Sequence, residues 1–258
     1  MNETESTKTK EKIPQLALES VDTIFHLAGL AHDLQNNSKD EKLYNLVNVD
    51  ATLELAELAV RIGVKRFIFV SSVKAGGAPT LGKCSNESDQ HEPEGMYGKT
   101  KREAEKKLLK IGHQSGMHVS IVRSSLVYGP NVKGNLGLML SGIKQGWFPP
   151  LPKTGNRRSM IHVDDVVEGI SRIANRVPEP RPGWSGNDPD PSSSSAPYRI
   201  YNIGNDETVT VNRIIEGLEK IIGKKAIRND LPERRGDVRT TFADISALKC
   251  EIGYRPTT

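Results

Sequence analysis

The stretch that decides the fold is Arg66-Phe67-Ile68-Phe69-Val70-Ser71-Ser72, followed after about 25 residues by Tyr97-Gly98-Lys99-Thr100-Lys101. Phe67 to Val70 is an unbroken apolar run, short and rich in aromatic and β-branched residues. Such a run reads as a strand buried on both faces, which is how strands of parallel sheets look. Two serines end it. The second segment opens a charged run, KTKREAEKKLLK, and predicts a helix over about residues 95–115. A strand, a polar turn and a helix make half of a βαβ unit.

The same beat continues outward. Thr23-Ile24-Phe25-His26-Leu27 is a second apolar run, closed by Ala28-Gly29. Leu43, Leu46, Val47, Leu53, Leu55, Ala56, Leu58 and Ala59 recur at helical spacing over about 40–62. Val119–Val127 (VSIVRSSLV) and Tyr198–Gly204 (YRIYNIG) read as further strands. Thr210 can cap the helix VNRIIEGLEKII, which stops at Gly223. Residues 177–197 are dense in Pro, Ser and Gly, and read as a solvated loop or as one folding over a ligand or a neighbouring subunit. Alternating strands and helices predict an α/β fold, a doubly wound parallel sheet with right-handed crossovers.

The bulk numbers fit a globular chain. Of 258 residues, 36% are hydrophobic and 26% charged, so a sizeable core can be buried. The net charge is +4 and the basic residues are dispersed in short clusters. This suits a small anionic ligand and argues against nucleic acid. No window approaches the roughly 18 apolar residues of a membrane span. The polar start, MNETESTKTKEK, lacks the apolar core of a secretory signal and reads as a disordered tail. Cys84 and Cys250 form neither a disulfide framework nor a metal spacing, and no His, Cys and carboxylate cluster has one either. Together these features give a cytoplasmic expectation and no metal.

Tyr97 and Lys101 lie four apart, hence on one face of a helix. A nearby ammonium favours the phenolate and is expected to lower the tyrosine's pKa, which suits proton exchange with a hydroxyl. By itself the spacing also fits a tyrosine stem under a surface lysine. Ser71 and Ser72 add weight, because ligands of parallel α/β sheets meet the carboxyl ends of the strands. His26 and His162 sit within apolar runs and read as core or supporting histidines. Asp164-Asp165 opens a helix and reads as structural.

In this order, the residues resemble the extended short-chain dehydrogenase/reductase group: the NAD-dependent sugar epimerases and dehydratases. The resemblance runs from about residue 20 almost to the end. It implies a partial Rossmann-type doubly wound sheet with a smaller C-terminal α/β substrate lobe. Residues 1–19 would be tail and lead-in. Residues 20–130 with 160–176 would bind NAD, and 131–159 with 177–258 would bind a nucleotide sugar. Ser72, Tyr97 and Lys101 fall on the family's catalytic positions. Leu27, Ala28 and Gly29 of TIFHLAG, Asn48 of NVDAT, Ser71, Tyr97, Lys101 and Tyr128 of RSSLVYGPN fall on its cofactor positions. Ser72, Asn135, Arg158 of RRSMIHVDD and Arg234 of RRGDVRTTFADIS fall on its nucleotide-sugar positions. The resemblance also implies a homodimer formed through helices near 44–62 and 97–115. The arginine fork suits a diphosphate, though surface ion pairing is the plain alternative for Arg158 and Arg234.

Three departures shape the expected activity. No Gly-x-x-Gly-x-x-Gly run occurs, although dinucleotide-binding folds begin with one, so the chain reads as N-terminally truncated. Family dehydratases carry Asp-Glu directly after the catalytic Ser or Thr; Val73 and Lys74 stand here, which points to 4-epimerisation of a UDP-hexose or UDP-hexuronate, or to keto-sugar reduction. PDPSSSSAPYRIYNIGN is similar to UDP-glucuronate 4-epimerases, Arg234 to galactose epimerases, and Leu126 replaces a residue that is often polar, so the sugar stays open. A nucleotide-sugar-binding or subunit-interaction protein without turnover is the other reading.

Overall fold

The fold is described from a computed structural model, over residues 15–31, 38–77, 84–88, 91–147, 151–152, 156–175, 198–227, 230–231 and 240–257. Four parallel strands form the main sheet: β1 (Thr23–His26), β2 (Arg66–Ser72), β3 (His118–Ser124) and a fourth, Tyr198–Ile203, in the order β1, β2, β3, Tyr198–Ile203. The helices between them are α1 (Ser38–Asn45), a π turn (Leu46–Asp50), α2 (Ala51–Ile62) and α3 (Gly95–Ser115). Phe67, Phe69, Val119 and Ile121 point to one face and pack with Ala56, Leu58, Ala59, Ala104 and Leu108 of α2 and α3. The alternate residues Ile68 and Val122 point to the other face. There they meet Val166, Ile170 and Ile173 of a helix at Val163–Asn175, and Leu248 and Ile252 of one at Ser246–Ile252. This three-layer arrangement is the expected doubly wound α/β fold, and the unbroken apolar run of β2 follows from burial on both sides.

Two expectations are corrected. The run 119–127 is not one strand. It breaks at Ser125, whose N–H bonds Ile203 O, and β4 (Leu126–Tyr128) leaves the main sheet. After α4 (Gly134–Gln145) and β5 (Leu151–Pro152), β6 (Arg157–His162) pairs parallel with β4; α5 is the helix Val163–Asn175. The second correction concerns 177–258, expected wholly in the substrate lobe. Its first described strand, β7 (Tyr198–Ile203), completes the main sheet, and α7 (Ser246–Ile252) packs beneath it. Between them, β8 (Thr208–Thr210), α6 (Val211–Ile222), β9 (Asp230–Leu231) and β10 (Thr240–Thr241) extend the smaller sheets: β8 and β10 flank β6, and β9 pairs with β5. Thr210 accepts from Arg213 N and Gly223 takes the left-handed conformation, so both ends of α6 follow the sequence. The arginine at 234 and the Pro- and Ser-rich segment 177–197 lie outside the described residues, as does the start of the chain.

The segment from Ser72 to Tyr97 is gathered at its neck. Arg102 of α3 donates to Ala75 O at 2.5 Å and to His91 O at 3.3 Å. Gly77, at φ 82°, has its Cα against the His91 backbone: a Cβ there would lie 2.4 Å from His91 O. Gly77→Ala is therefore expected to cost about 3 kcal/mol, from left-handed strain plus a backbone collision. Gly116→Ala, at φ 77° with nothing within 4 Å, should cost about 1 kcal/mol. Urea midpoints of the two variants check the contrast, and equal losses would refute the collision.

Candidate active site

The π turn at Leu46–Asp50 places Asn48 with its side chain fully buried. One-turn π segments of this kind often occur at functional sites. Asn48 Oδ1 accepts from Leu30 N at 2.7 Å, and its Nδ2 donates to Leu30 O at 3.1 Å and to Thr100 Oγ1 at 3.1 Å. It thus clamps the segment after β1 to the first turns of α3. Thr52 Oγ1 donates to Asn48 O at 2.9 Å, and His26 Nε2 lies 2.9 Å from the same hydroxyl. His26 stacks on Phe69 and is buried, and desolvation first, then the Lys101 charge, lowers its pKa to about 4. It stays neutral at neutral pH and is a support of the site, as its apolar surroundings suggested.

The segment so clamped is a polar shelf. Leu27, Ala28 and Gly29 are exposed, and a Cβ on Gly29 would lie 3.1 Å from Lys101 Nζ and 3.2 Å from Asn48 Oδ1. Lys101 is 3% exposed, donates to Val70 O at 3.0 Å, and lies 4.4 Å from the centre of the Phe69 ring. Burial lowers its pKa to about 8, opposed by the charge of Glu105. A desolvated ammonium facing exposed backbone suits a polar, hydroxyl-bearing ligand, so Leu27–Gly29 and Lys101 fit the ribose and nicotinamide side of a dinucleotide. Asn48, expected on the cofactor, is instead fully buried with its amide spent on Leu30 and Thr100, and supports the shelf from behind. Ser71, expected on the cofactor, is instead 2% exposed and gives its hydroxyl to Glu105 at 2.5 Å.

Tyr97 is the third residue of α3, and Ser72 caps the short 3₁₀ turn Val73–Gly76 at the end of β2. Ser72 accepts from Lys74 N at 3.3 Å and lies near enough to the Tyr97 phenol to favour its ionised form. Strand end and helix start are thus joined at the pair the sequence singled out. The expected direction of the phenol's pKa is corrected: burial raises it above 10.0, the Ser72 side chain offsets part of this, and Tyr44 adds to the rise. Lys101 turns instead toward Val70 O and Phe69. Lys74 Nζ lies 5.9 Å from the centre of the Tyr97 ring.

Of the remaining expected residues, Tyr128 and Arg158 sit on the second sheet and Asn135 on α4. Tyr128 of β4 meets His162 of β6 edge to face, ring centres 5.2 Å apart. Arg158 is half-buried on β6, where its guanidinium donates to Arg157 O at 3.0 Å, and Asn135 is exposed in the first turn of α4. The structure therefore brings together Gly29, Asn48, Ser72, Tyr97 and Lys101, and holds Arg158 on the adjoining sheet that β4 joins to β3 and Asn135 at the start of α4. Sequence reading missed Tyr44, Thr52, Thr100, Glu105 and Arg123. The last two are 1% exposed and form a bidentate ion pair, Nη2 to Oε2 at 2.7 Å. Stranding either charge would cost about 3–5 kcal/mol. A carboxylate four residues after Lys101 was the available signal.

A family profile described as the NAD dependent epimerase/dehydratase family matches residues 4–204. A UDP-glucose 4-epimerase of Vibrio cholerae is 32% identical over 247 residues, covering 94% of this chain and 74% of that protein. Protein CapI of Staphylococcus aureus is 30% identical over 234 residues, covering 90% of this chain and 69% of that one. MoeE5, solved in complex with UDP-glucuronic acid and NAD, superimposes with a TM-score of 0.78 at 25% identity over 95% of this chain and 77% of that chain. A UDP-glucuronic acid 4-epimerase from Bacillus cereus, at 24% identity, shares the fold with a TM-score of 0.79 over 95% of this chain and 73% of that chain. With a profile spanning most of the chain and a relative 32% identical over most of both proteins, the chain belongs to the NAD dependent epimerase/dehydratase family.

Proposed function

We propose that this protein is a UDP-sugar 4-epimerase, acting on a UDP-hexose or UDP-hexuronate through Ser72, Tyr97 and Lys101. The observation that carries the proposal is the placing of Ser72 at the carboxyl end of β2 beside the opening of α3, which carries the half-buried Tyr97 and the buried Lys101 one helical turn apart. Relatives named as UDP-glucose and UDP-glucuronate 4-epimerases support the reaction, and Val73 and Lys74 speak against a dehydratase's carboxylate pair. NAD, when bound, accepts and returns the hydride at C4 of the sugar. Tyr97 takes the proton of the 4-hydroxyl as the transient 4-keto sugar forms, and returns it as the hydroxyl re-forms with the other configuration. Ser72 holds the phenol and the sugar oxygen in line. Lys101 would hold the ribose and nicotinamide side, with Leu27–Gly29 and Tyr128 beside it and Asn48 fixing the shelf through Leu30. Asn135, Arg158 and Arg234 would hold the UDP diphosphate and sugar, through the charge-assisted bonds that arginine makes. Pairing of two copies through the helices at 44–62 and 97–115 belongs to the same reading.

A second reading is a nucleotide-sugar-binding or subunit-interaction protein without turnover. It rests on the lack of a Gly-x-x-Gly-x-x-Gly run in these 258 residues. Calorimetry separates the two. The enzyme is expected to bind NAD saturably and to interconvert UDP-glucose with UDP-galactose, or UDP-glucuronate with UDP-galacturonate. Binding of UDP-sugar with no NAD uptake and no interconversion would overturn the epimerase and leave the second reading.

A further inference from the structure

Lys74 is an exposed lysine unused by the proton and hydride steps, yet it is set between Ser72 and Tyr97. Its backbone is tied down on three sides. The N–H donates to Ser72 Oγ at 3.3 Å, and the carbonyl accepts from Gly77 N at 3.2 Å. The same carbonyl lies against Gly98 of α3, where a Cβ would stand 2.9 Å from it. Arg102 donates to the next carbonyl, Ala75 O. The turn Val73–Gly76 is thereby fixed on the first turns of α3, and the Lys74 side chain starts from a fixed point. Its ammonium lies 5.9 Å from the centre of the Tyr97 ring. Among the described residues, no carboxylate is within ion-pair reach of that ammonium, whereas Lys107, Lys225 and Lys249 are each paired.

We infer that Lys74 makes the site select an anionic sugar, by taking the 6-carboxylate of a UDP-hexuronate. The inference rests on the reading of Ser72 and Tyr97 as the groups that meet the sugar's 4-hydroxyl. The connectivity of the sugar supplies the next step. C6 is carried on C5, the ring carbon next to C4, so a 4-hydroxyl at the Tyr97 phenol keeps C6 close by. C1 lies across the ring from C4, which takes the diphosphate to the far end, away from Lys74. On the near side a hexuronate offers a full negative charge, and a hexose a neutral hydroxymethyl. The ammonium gains a charge-assisted bond from the first and an ordinary hydrogen bond from the second. The four-carbon stem is flexible, so the ammonium can leave the Tyr97 face for the carboxylate without moving the turn. A ligand that covers the mouth takes the cation out of water. A hexuronate offsets that cost and a hexose leaves it standing.

The measurement is the ratio of kcat/KM for UDP-glucuronate to that for UDP-glucose, with NAD present. A general disturbance of the site falls on both sugars and cancels in the ratio. The unaltered chain is expected to favour UDP-glucuronate. Lys74→Met keeps the stem and removes the charge. It should lower the ratio about 10- to 100-fold, the worth of a hydrogen bond to a charged group. Lys74→Arg should hold the preference, and Lys74→Glu should invert it. Calorimetric titration of both UDP-sugars into the same proteins gives the corresponding ratio of Kd values without turnover. A Lys74→Met ratio equal to that of the unaltered chain, in turnover or, where there is none, in binding, would overturn the inference. If the unaltered chain turns over neither sugar while the binding ratio falls as expected in Lys74→Met, the epimerase reading is sunk and the role of Lys74 stands.

Discussion

Tyr97→Phe is expected to cut epimerase turnover by about 10²- to 10⁴-fold, the range that a positioned general acid–base supplies. The loss should fall on kcat with KM little changed, because the phenol oxygen acts on the proton in flight while the ring and its neighbours stay in place. Phenylalanine keeps the aromatic body beside Lys74 and Tyr44 and removes only the hydroxyl near Ser72. Loss of one half-buried hydroxyl changes stability by about 1 kcal/mol, so the variant remains folded. The direction of the phenol's pKa gives a second signature. Burial holds Tyr97 above the ordinary value of 10.0, so through the neutral range it carries its proton and must pass it to gain one. Turnover limited by that exchange should climb with pH up to the point where Lys101, at about 8, begins to lose its charge. The rate of UDP-sugar interconversion in Tyr97→Phe, set beside its thermal unfolding curve, checks both parts. Turnover near that of the unaltered chain would remove Tyr97 from the mechanism.

What could be read in the sequence follows from what each pattern encodes. The strand Arg66–Ser72 was legible because burial on both faces demands an unbroken apolar run. Tyr97 and Lys101 were legible as a pair because α3 repeats every 3.6 residues, and Ser72 because β2 ends there. The break at Ser125 was not, since no glycine or proline marks it and both halves are equally apolar. The place of Tyr198–Ile203 was hidden for another reason: alternation shows that a strand exists and which faces are buried, but not which strand it pairs with. Glu105 and Arg102 were lost inside KTKREAEKKLLK, a run whose charges look solvated. Burial there is decided by β2, β3 and the loop neck, which lie far away in sequence. The lowered pKa expected for Tyr97 failed on the same point: the spacing to Lys101 was right, but the lysine leans toward Val70 O and Phe69. Asn135 and Arg158 were carried by family resemblance, and their roles remain part of the proposed function.

Acidification should destabilise the protein steeply between pH 6.5 and about 4, and two histidines outside the chemistry are the cause. His26 and His118 are 8% and 6% exposed, and the pKa of each is lowered from 6.5 to about 4, chiefly by burial. The nearest cations act in the same direction, Lys101 on His26 and Arg66 on His118. His26 meets Thr52 at Nε2 and His118 meets Ser120 at Nε2, while Nδ1 of His118 has no hydrogen-bond partner. Between the two pKa values the unfolded chain holds protons that the folded chain refuses, so stability falls as pH falls through that window. At roughly 1.4 kcal/mol per pH unit, each histidine withdraws about 2 to 3 kcal/mol by pH 4. Together they approach the whole stability of an ordinary domain, about 5–15 kcal/mol. Glu87 works against them, since burial raises its pKa and its protonation favours the folded state as pH drops. One such group cannot offset two. Urea unfolding at neutral pH and near pH 4 measures the effect. His118→Gln, whose amide cannot charge, should lose about 2 to 3 kcal/mol less between the two pH values than the unaltered chain. An unchanged difference in that variant would show that His118 is protonated in the folded protein. Because His118 starts β3, at the end of the sheet opposite Ser72, catalysis at neutral pH should be left as it was.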